Sequence, residues 1–151
     1  MKAMLRAGWA LLFIALAASL ALGKKQEPIA DLKARVESAS PEQRVGLCVE
    51  IAERQLIDAD KLYKDGKSEE AQGLLKDVVS YADQATQAST QSGKKLKQVE
   101  IMVRKMAHRL QDIKRTVNFE DQAPIQDAAD RMEKMRTELL AKMFGFGKGK
   151  E

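Results

Sequence analysis

Acid–base or nucleophilic chemistry would have to pass through His108, the single histidine of the 151-residue sequence, with Asp112 four residues on as the group to orient it. Two residues four apart on a helix are neighbours whatever their role, so the pair reads as a surface contact. No serine is marked by a partner base, and nothing marks an oxyanion site. A carboxylate-bridged metal centre would need a Glu-x-x-His spacing, but the residue three before His108 is Lys105. Phosphate cradling needs a glycine-rich turn between strand and helix; Gly145, Gly147 and Gly149 alternate in a C-terminal tail instead. The expectation is a non-catalytic protein with no catalytic, cofactor-binding or metal-ligating residues.

Charge is the one chemistry that is concentrated. Between Gly93 and Asn118, Lys94, Lys95, Lys97, Arg104, Lys105, Arg109, Lys114 and Arg115 face only Glu100 and Asp112, eight cations less two anions, or +6. The flanking helical segments are net acidic. Plotted at about 100° per residue, Lys94, Lys97, Arg104, Lys105, Arg109 and Arg115 gather opposite the apolar stripe of the same segment and face water. Lys97, Arg104, Lys105, Arg109 and Arg115 are therefore the candidate contact residues for an anionic partner. A solvated face balanced by acidic neighbours explains the same residues without a partner. Nucleic acid fits poorly, because no aromatic ring interleaves the cations to stack on a base.

Cysteine usage gives a lone Cys48 between Leu47 and Val49. An exported domain stapled by disulfides would show an even set. Two readings stand, a small buried apolar residue or an intermolecular disulfide, and either way the fold rests on packing.

These residues are carried by four helical segments. Ser40-Pro41-Glu42-Gln43 opens the first as a capping box with proline at the first helical position. Val45, Cys48, Val49, Ala52, Leu56, Ala59 and Tyr63 follow at helical spacing up to Asp65-Gly66. Ser68 is the expected cap of the second, whose stripe is Ala71, Leu74, Leu75, Val78, Tyr81, Ala82, Ala85 and Ala88, ended at Gly93. The third has a heptad seam of Leu96, Val99, Val103, Met106, Leu110, Ile113 and Val117, ended at a left-handed Asn118. Asp121 is the expected cap of the fourth, with Pro124 in its first turn and Ile125, Ala128, Ala129, Met132, Met135, Leu139 and Met143 as its stripe. Met102, Met106, Met132, Met135 and Met143 read as core filling, with an adaptable contact surface as the other use of methionine. No window alternates as a strand.

The run from Ala59 to Leu75, with Tyr63, Gly66 and Ala71 at its centre, resembles the middle of a tetratricopeptide repeat. The resemblance implies a helical hairpin and a tendency toward protein–protein contact over at most one unit, Pro41 to Ala88. The second half, Lys94 to Met143, does not repeat the Tyr-x-x-Gly-x-x-x-x-Ala spacing. The family's peptide groove is not carried over.

At the N-terminus, Lys2 and Arg6, an apolar Trp9–Leu22 and the small residues Ala21 and Gly23 read as a cleavable export signal, with a retained anchor as the other reading. Fourteen apolar residues fall short of the roughly 20 that span a bilayer. Removing Lys2 and Arg6 takes the net charge from +4 to +2. The expected organisation is a signal peptide over 1–23, a lead segment with a short helix over 24–39, an all-α antiparallel bundle of about four helices over 40–143 and a flexible glycine- and lysine-rich tail over 144–151. The expected function is a periplasmic or secreted interaction or scaffold protein, docking a protein or an anionic envelope surface through the basic face of the third helix. No stable transmembrane span is expected after cleavage. The alternative is an adaptor that self-associates, or pairs with a partner helix, through the heptad seam.

Overall fold

The computed structural model describes residues 25–145. Five α-helices and one 3-10 turn follow in order: α1 (Ile29–Ser38), α2 (Pro41–Lys64), α3 (Ser68–Ser92), α4 (Leu96–Thr116), the turn Phe119–Asp121, and α5 (Gln122–Phe144). No strand occurs among the described residues. The export-signal reading falls on residues 1–23 and the end of the tail on 146–151, both outside the described residues. Five helices stand where four were expected in the bundle, because the lead segment contributes α1 to the same core through Leu32 and Val36, 1% and 5% exposed.

Each start and stop has a local cause. Ser40 Oγ accepts from the Gln43 amide at 3.4 Å while Gln43 Oε1 accepts from the Ser40 amide at 3.3 Å, and Pro41 needs no amide partner at the first position. Gly66 at φ 74° and Gly93 at φ 70° supply the left-handed residues that end α2 and α3. Three caps differ from expectation. The N-cap of α3 is Lys67, without a side-chain cap; Ser68 Oγ instead donates to Asp121 Oδ2 at 2.7 Å, joining the start of α3 to the start of α5. Asp121 does stand at the N-cap position of α5, but with αR backbone and no cap hydrogen bond, its Oδ2 accepting from Ser68. Asn118 is extended at φ −62°, not left-handed, because the chain enters the Phe119–Asp121 turn directly.

Packing pairs α2 with α3 and α4 with α5, with α3 meeting α5, α2 meeting α4, and α1 lying on α2. Burial of the α4 seam is complete at Val99, Val103 and Leu110 and nearly so at Met106 and Ile113. Its end residues Leu96 and Val117 are partly buried against the core. All the expected stripe residues of α2 are buried, and so are Ile51, Gln55 and Asp60, because α2 faces α1, α3 and α4 and needs a wider apolar face than one neighbour demands. On α3 the buried residues toward its C-terminus are Ala82, Ala85, Thr86, Ala88 and Ser89, small enough for close approach. Full burial of each larger aliphatic side chain contributes about 1.5–3 kcal/mol. The methionines 102, 106, 132 and 135 are 0–3% exposed and fill this core, and Met143 is half-buried.

Candidate functional site

α4 presents one face to the core and the other outward, and its cations divide by the counter-ions within reach. Arg104 is half-buried and its Nε lies 3.2 Å from Glu100 Oε1. The same carboxylate oxygen accepts from Arg136 Nε of α5 at 3.0 Å. Glu100 is 8% exposed, so its charge is tolerated only because two guanidinium groups lie on it. The hydrogen bond to Glu100 in turn holds Arg136 above the ordinary arginine pKa. Arg109 pairs with the buried Asp60 of α2, which also accepts from Lys64 at 2.9 Å. Arg115 meets Asp112 at 3.2 Å. Lys94 meets Glu42 at 3.1 Å, and Lys114 donates to Gln126 Oε1 at 2.8 Å.

Lys97 and Lys105 are different. Like Lys95 at the N-cap of α4, both are exposed, and among the described residues neither makes an ion pair or a side-chain hydrogen bond. They flank an open groove between α2 and α4 of about 440 Å³, lined by Val49, Glu53, Lys97, Gln98, Ile101, Met102 and Lys105. A second hollow of about 250 Å³ continues it past Leu56, Ile57, Met106 and Arg109, sharing Glu53, Met102 and Lys105. Of the five candidate residues, the structure therefore brings Lys97, Lys105 and Arg109 to one groove. Arg104 turns toward α5, and Arg115 lies two turns of helix further on, with Asp112.

The groove's α2 wall was not read as part of a site from the sequence. Ile57 is 55% exposed, an aliphatic side chain one position past the buried Leu56 and off the α2 stripe. That displacement was the available signal. Glu53 is exposed on the same wall, without an ion pair among the described residues.

Other reactive groups are enclosed by packing. Cys48 is fully buried and forms no disulfide among the described residues, and burial pushes its thiol up to about 11. Such a thiol is shielded from the contact that an intermolecular disulfide requires, which favours the buried-residue reading. Tyr63 is buried, and desolvation, followed by the charge of Asp121, raises its phenol to about 12. Beside α1, Lys33 Nζ lies 2.6 Å from Asp77 Oδ2 and 5.4 Å from the Tyr81 ring centroid, while Gln55 Nε2 donates to the same Asp77 oxygen at 3.1 Å. Hydrogen bonding from Lys33 holds the Asp77 carboxyl below the ordinary range, against the opposing effect of burial. His108 is exposed on the outer face of α4, and no hydrogen bond ties it to Asp112. Among the described residues, no three His, Cys, Asp or Glu side chains gather in a metal-sized group, and no helix is long and apolar enough to cross a membrane.

No protein-family model, no curated protein and no solved structure matches the chain.

Proposed function

We propose that this chain is an exported, non-catalytic interaction protein of the cell envelope, an antiparallel helical bundle that docks an anionic partner through the outer face of α4. The observation that carries the reading is the contrast among the α4 cations. Arg104, Arg109 and Arg115 are matched to carboxylates, whereas Lys97 and Lys105 stand in water beside an apolar groove with no counter-ion among the described residues. Unpaired lysines on a face with exposed aliphatic surface steer anionic partners and contact them at short range.

The test is a pull-down from envelope extract with the chain beginning at Lys24, comparing wild type with Lys97→Glu/Lys105→Glu at low and high salt. Loss of the captured partner in the variant, and its release by salt, is the expected result. An unchanged set of captured material in both comparisons would overturn the docking reading. Export itself predicts that the chain recovered outside the cytoplasm starts at Lys24, which intact mass reads directly.

The self-association alternative loses its seam to the core. Val99, Val103, Met106, Leu110 and Ile113 are all buried within one chain, so pairing through them would require the bundle to open. Sedimentation as a monomer across the micromolar range is the outcome this predicts.

A further inference from the structure

The groove between α2 and α4 narrows what the anionic partner can be, an inference that rests on the docking reading above. Its floor is apolar: Val49, Leu56, Met102 and Met106 lie beneath, with the half-buried Ile101 and the exposed Ile57 along the sides. Its α4 rim carries Lys97 and Lys105, and Arg109 at the far end. From Lys97 to Arg109 the rim runs twelve residues of helix, about 18 Å at the helical rise.

Three candidate occupants differ in shape and bonding. A bilayer is flat or convex at this scale and is entered by exposed apolar side chains; here Val49, Leu56, Met102 and Met106 are buried, and Ile57 is the one exposed apolar residue of the lining. An extended strand is bound through free backbone donors and acceptors, but both walls are helices whose backbone groups are already bonded internally. A helix with an apolar stripe fits a channel between two helices as ridges into a groove, and buried methionines adapt its floor to the side chains that arrive. Two unpaired lysines on the rim select for carboxylates beside that stripe by charge complementarity.

We infer that the α2/α4 groove takes an acidic amphipathic helix of about three turns, its apolar side chains on Met102, Ile101 and Ile57 and its flanking carboxylates on Lys97 and Lys105. Glu53 on the opposite wall sets the polarity of the fit, since it repels an acidic flank and accepts a basic or neutral one. Arg104 and Arg115 take no part, being held by Glu100 and Asp112.

The experiment is fluorescence anisotropy with a labelled synthetic 18-residue peptide bearing leucines at i, i+3, i+4 and i+7 spacing with glutamates flanking them, and a second peptide with lysines in their place. The glutamate peptide binds the wild-type chain and the lysine peptide does not. Lys97→Glu/Lys105→Glu weakens binding about tenfold or more, Ile57→Asn weakens it, Glu53→Lys strengthens it and Arg115→Glu changes it less than twofold. All four variants are at exposed positions, and unchanged helical circular dichroism shows that they fold. Equal binding of the two peptides, or indifference to Lys97→Glu/Lys105→Glu, overturns the inference. Absence of peptide binding while that double variant still loses its envelope partner also overturns it, yet leaves the docking reading standing. Co-sedimentation with phosphatidylglycerol vesicles but no peptide binding overturns it in the same way, with a lipid surface as the partner.

Discussion

Replacing Glu100 by glutamine separates what Arg104 and Arg136 do for the fold from what the α4 lysines do for binding, because the two effects have opposite signs. Glu100 is 8% exposed, and one of its oxygens takes both Arg136 at 3.0 Å and Arg104 at 3.2 Å. A hydrogen bond to a charged group is worth about 1.5–3 kcal/mol when its partner is removed. Both guanidinium groups are more than a third exposed, at 36% and 43%, so water recovers part of each interaction when the carboxylate goes. Two such bonds, discounted in this way, leave an expected loss of about 1–2 kcal/mol, or roughly 3–6 °C in Tm per kcal/mol for a domain of this size. Glutamine keeps the volume and an acceptor, so the loss is electrostatic. Urea unfolding followed by helical circular dichroism measures it, with an unchanged m-value as the sign that only stability moved. At the same time the face becomes more positive by one unit, and the two released arginines add to the field of Lys97 and Lys105. Capture of an anionic partner therefore strengthens at low salt. Stability within about 0.3 kcal/mol of wild type would refute the claim that Glu100 is held by its arginines. Weaker capture in a folded variant would refute the separation of roles.

Two further perturbations test the frame around the site. Lys95 has a positive φ of 59° at the start of α4, where a β-carbon is disfavoured, so Lys95→Gly relieves about 1 kcal/mol of backbone strain, partly offset by the larger entropy of an unfolded glycine; a small rise in the urea midpoint is expected. Asp77 is held below the ordinary carboxylate range in the folded chain, so its stabilising contribution is present above the unfolded pKa of about 3.9 and disappears as pH falls through the lower folded value. Asp77→Asn therefore flattens the loss of stability with acid below about pH 4, read by unfolding at a series of pH values, and equal slopes for variant and wild type would count against the Lys33 contact.

Periodicity made the helices legible. The α4 seam alternates in steps of three and four, and its interior residues are the ones the core encloses. The Ser40–Gln43 box is written in four consecutive residues and formed as written. Asp121 was placed correctly at the N-cap of α5 but makes no cap bond, and Ser68 lies one residue inside α3; the two side chains bond each other across 53 residues, which no local pattern encodes. The basic face was legible as a surplus of charge, but the surplus was not uniform in use. Asp60 looks like an ordinary solvated carboxylate in its own helix, and only the packing of α2 against α4 shows it to be the buried counter-ion of Arg109; Glu100 and Arg104 stand at i,i+4 spacing in the sequence, but the burial of Glu100 and its second partner Arg136 come from the packing of α5. What is left over, Lys97 and Lys105 on the groove rim with Lys95 at the helix start, is defined by subtraction across three helices. Ile57 entered the site in the same way, visible in the sequence as an aliphatic residue out of phase and given meaning only by the groove beside it.

The alanine-lined flank of α3 limits how this chain can drift. Where Ala82 and Ala85 have no exposed surface and Ala88 has 7%, an added methylene has nowhere to go without separating the helices. The outward cations that hold no buried carboxylate, by contrast, meet no packing limit, so Lys97 and Lys105 would persist only if a partner needs them. Drift in this sequence would spare the small residues in the middle for packing, and the rim charges only for binding.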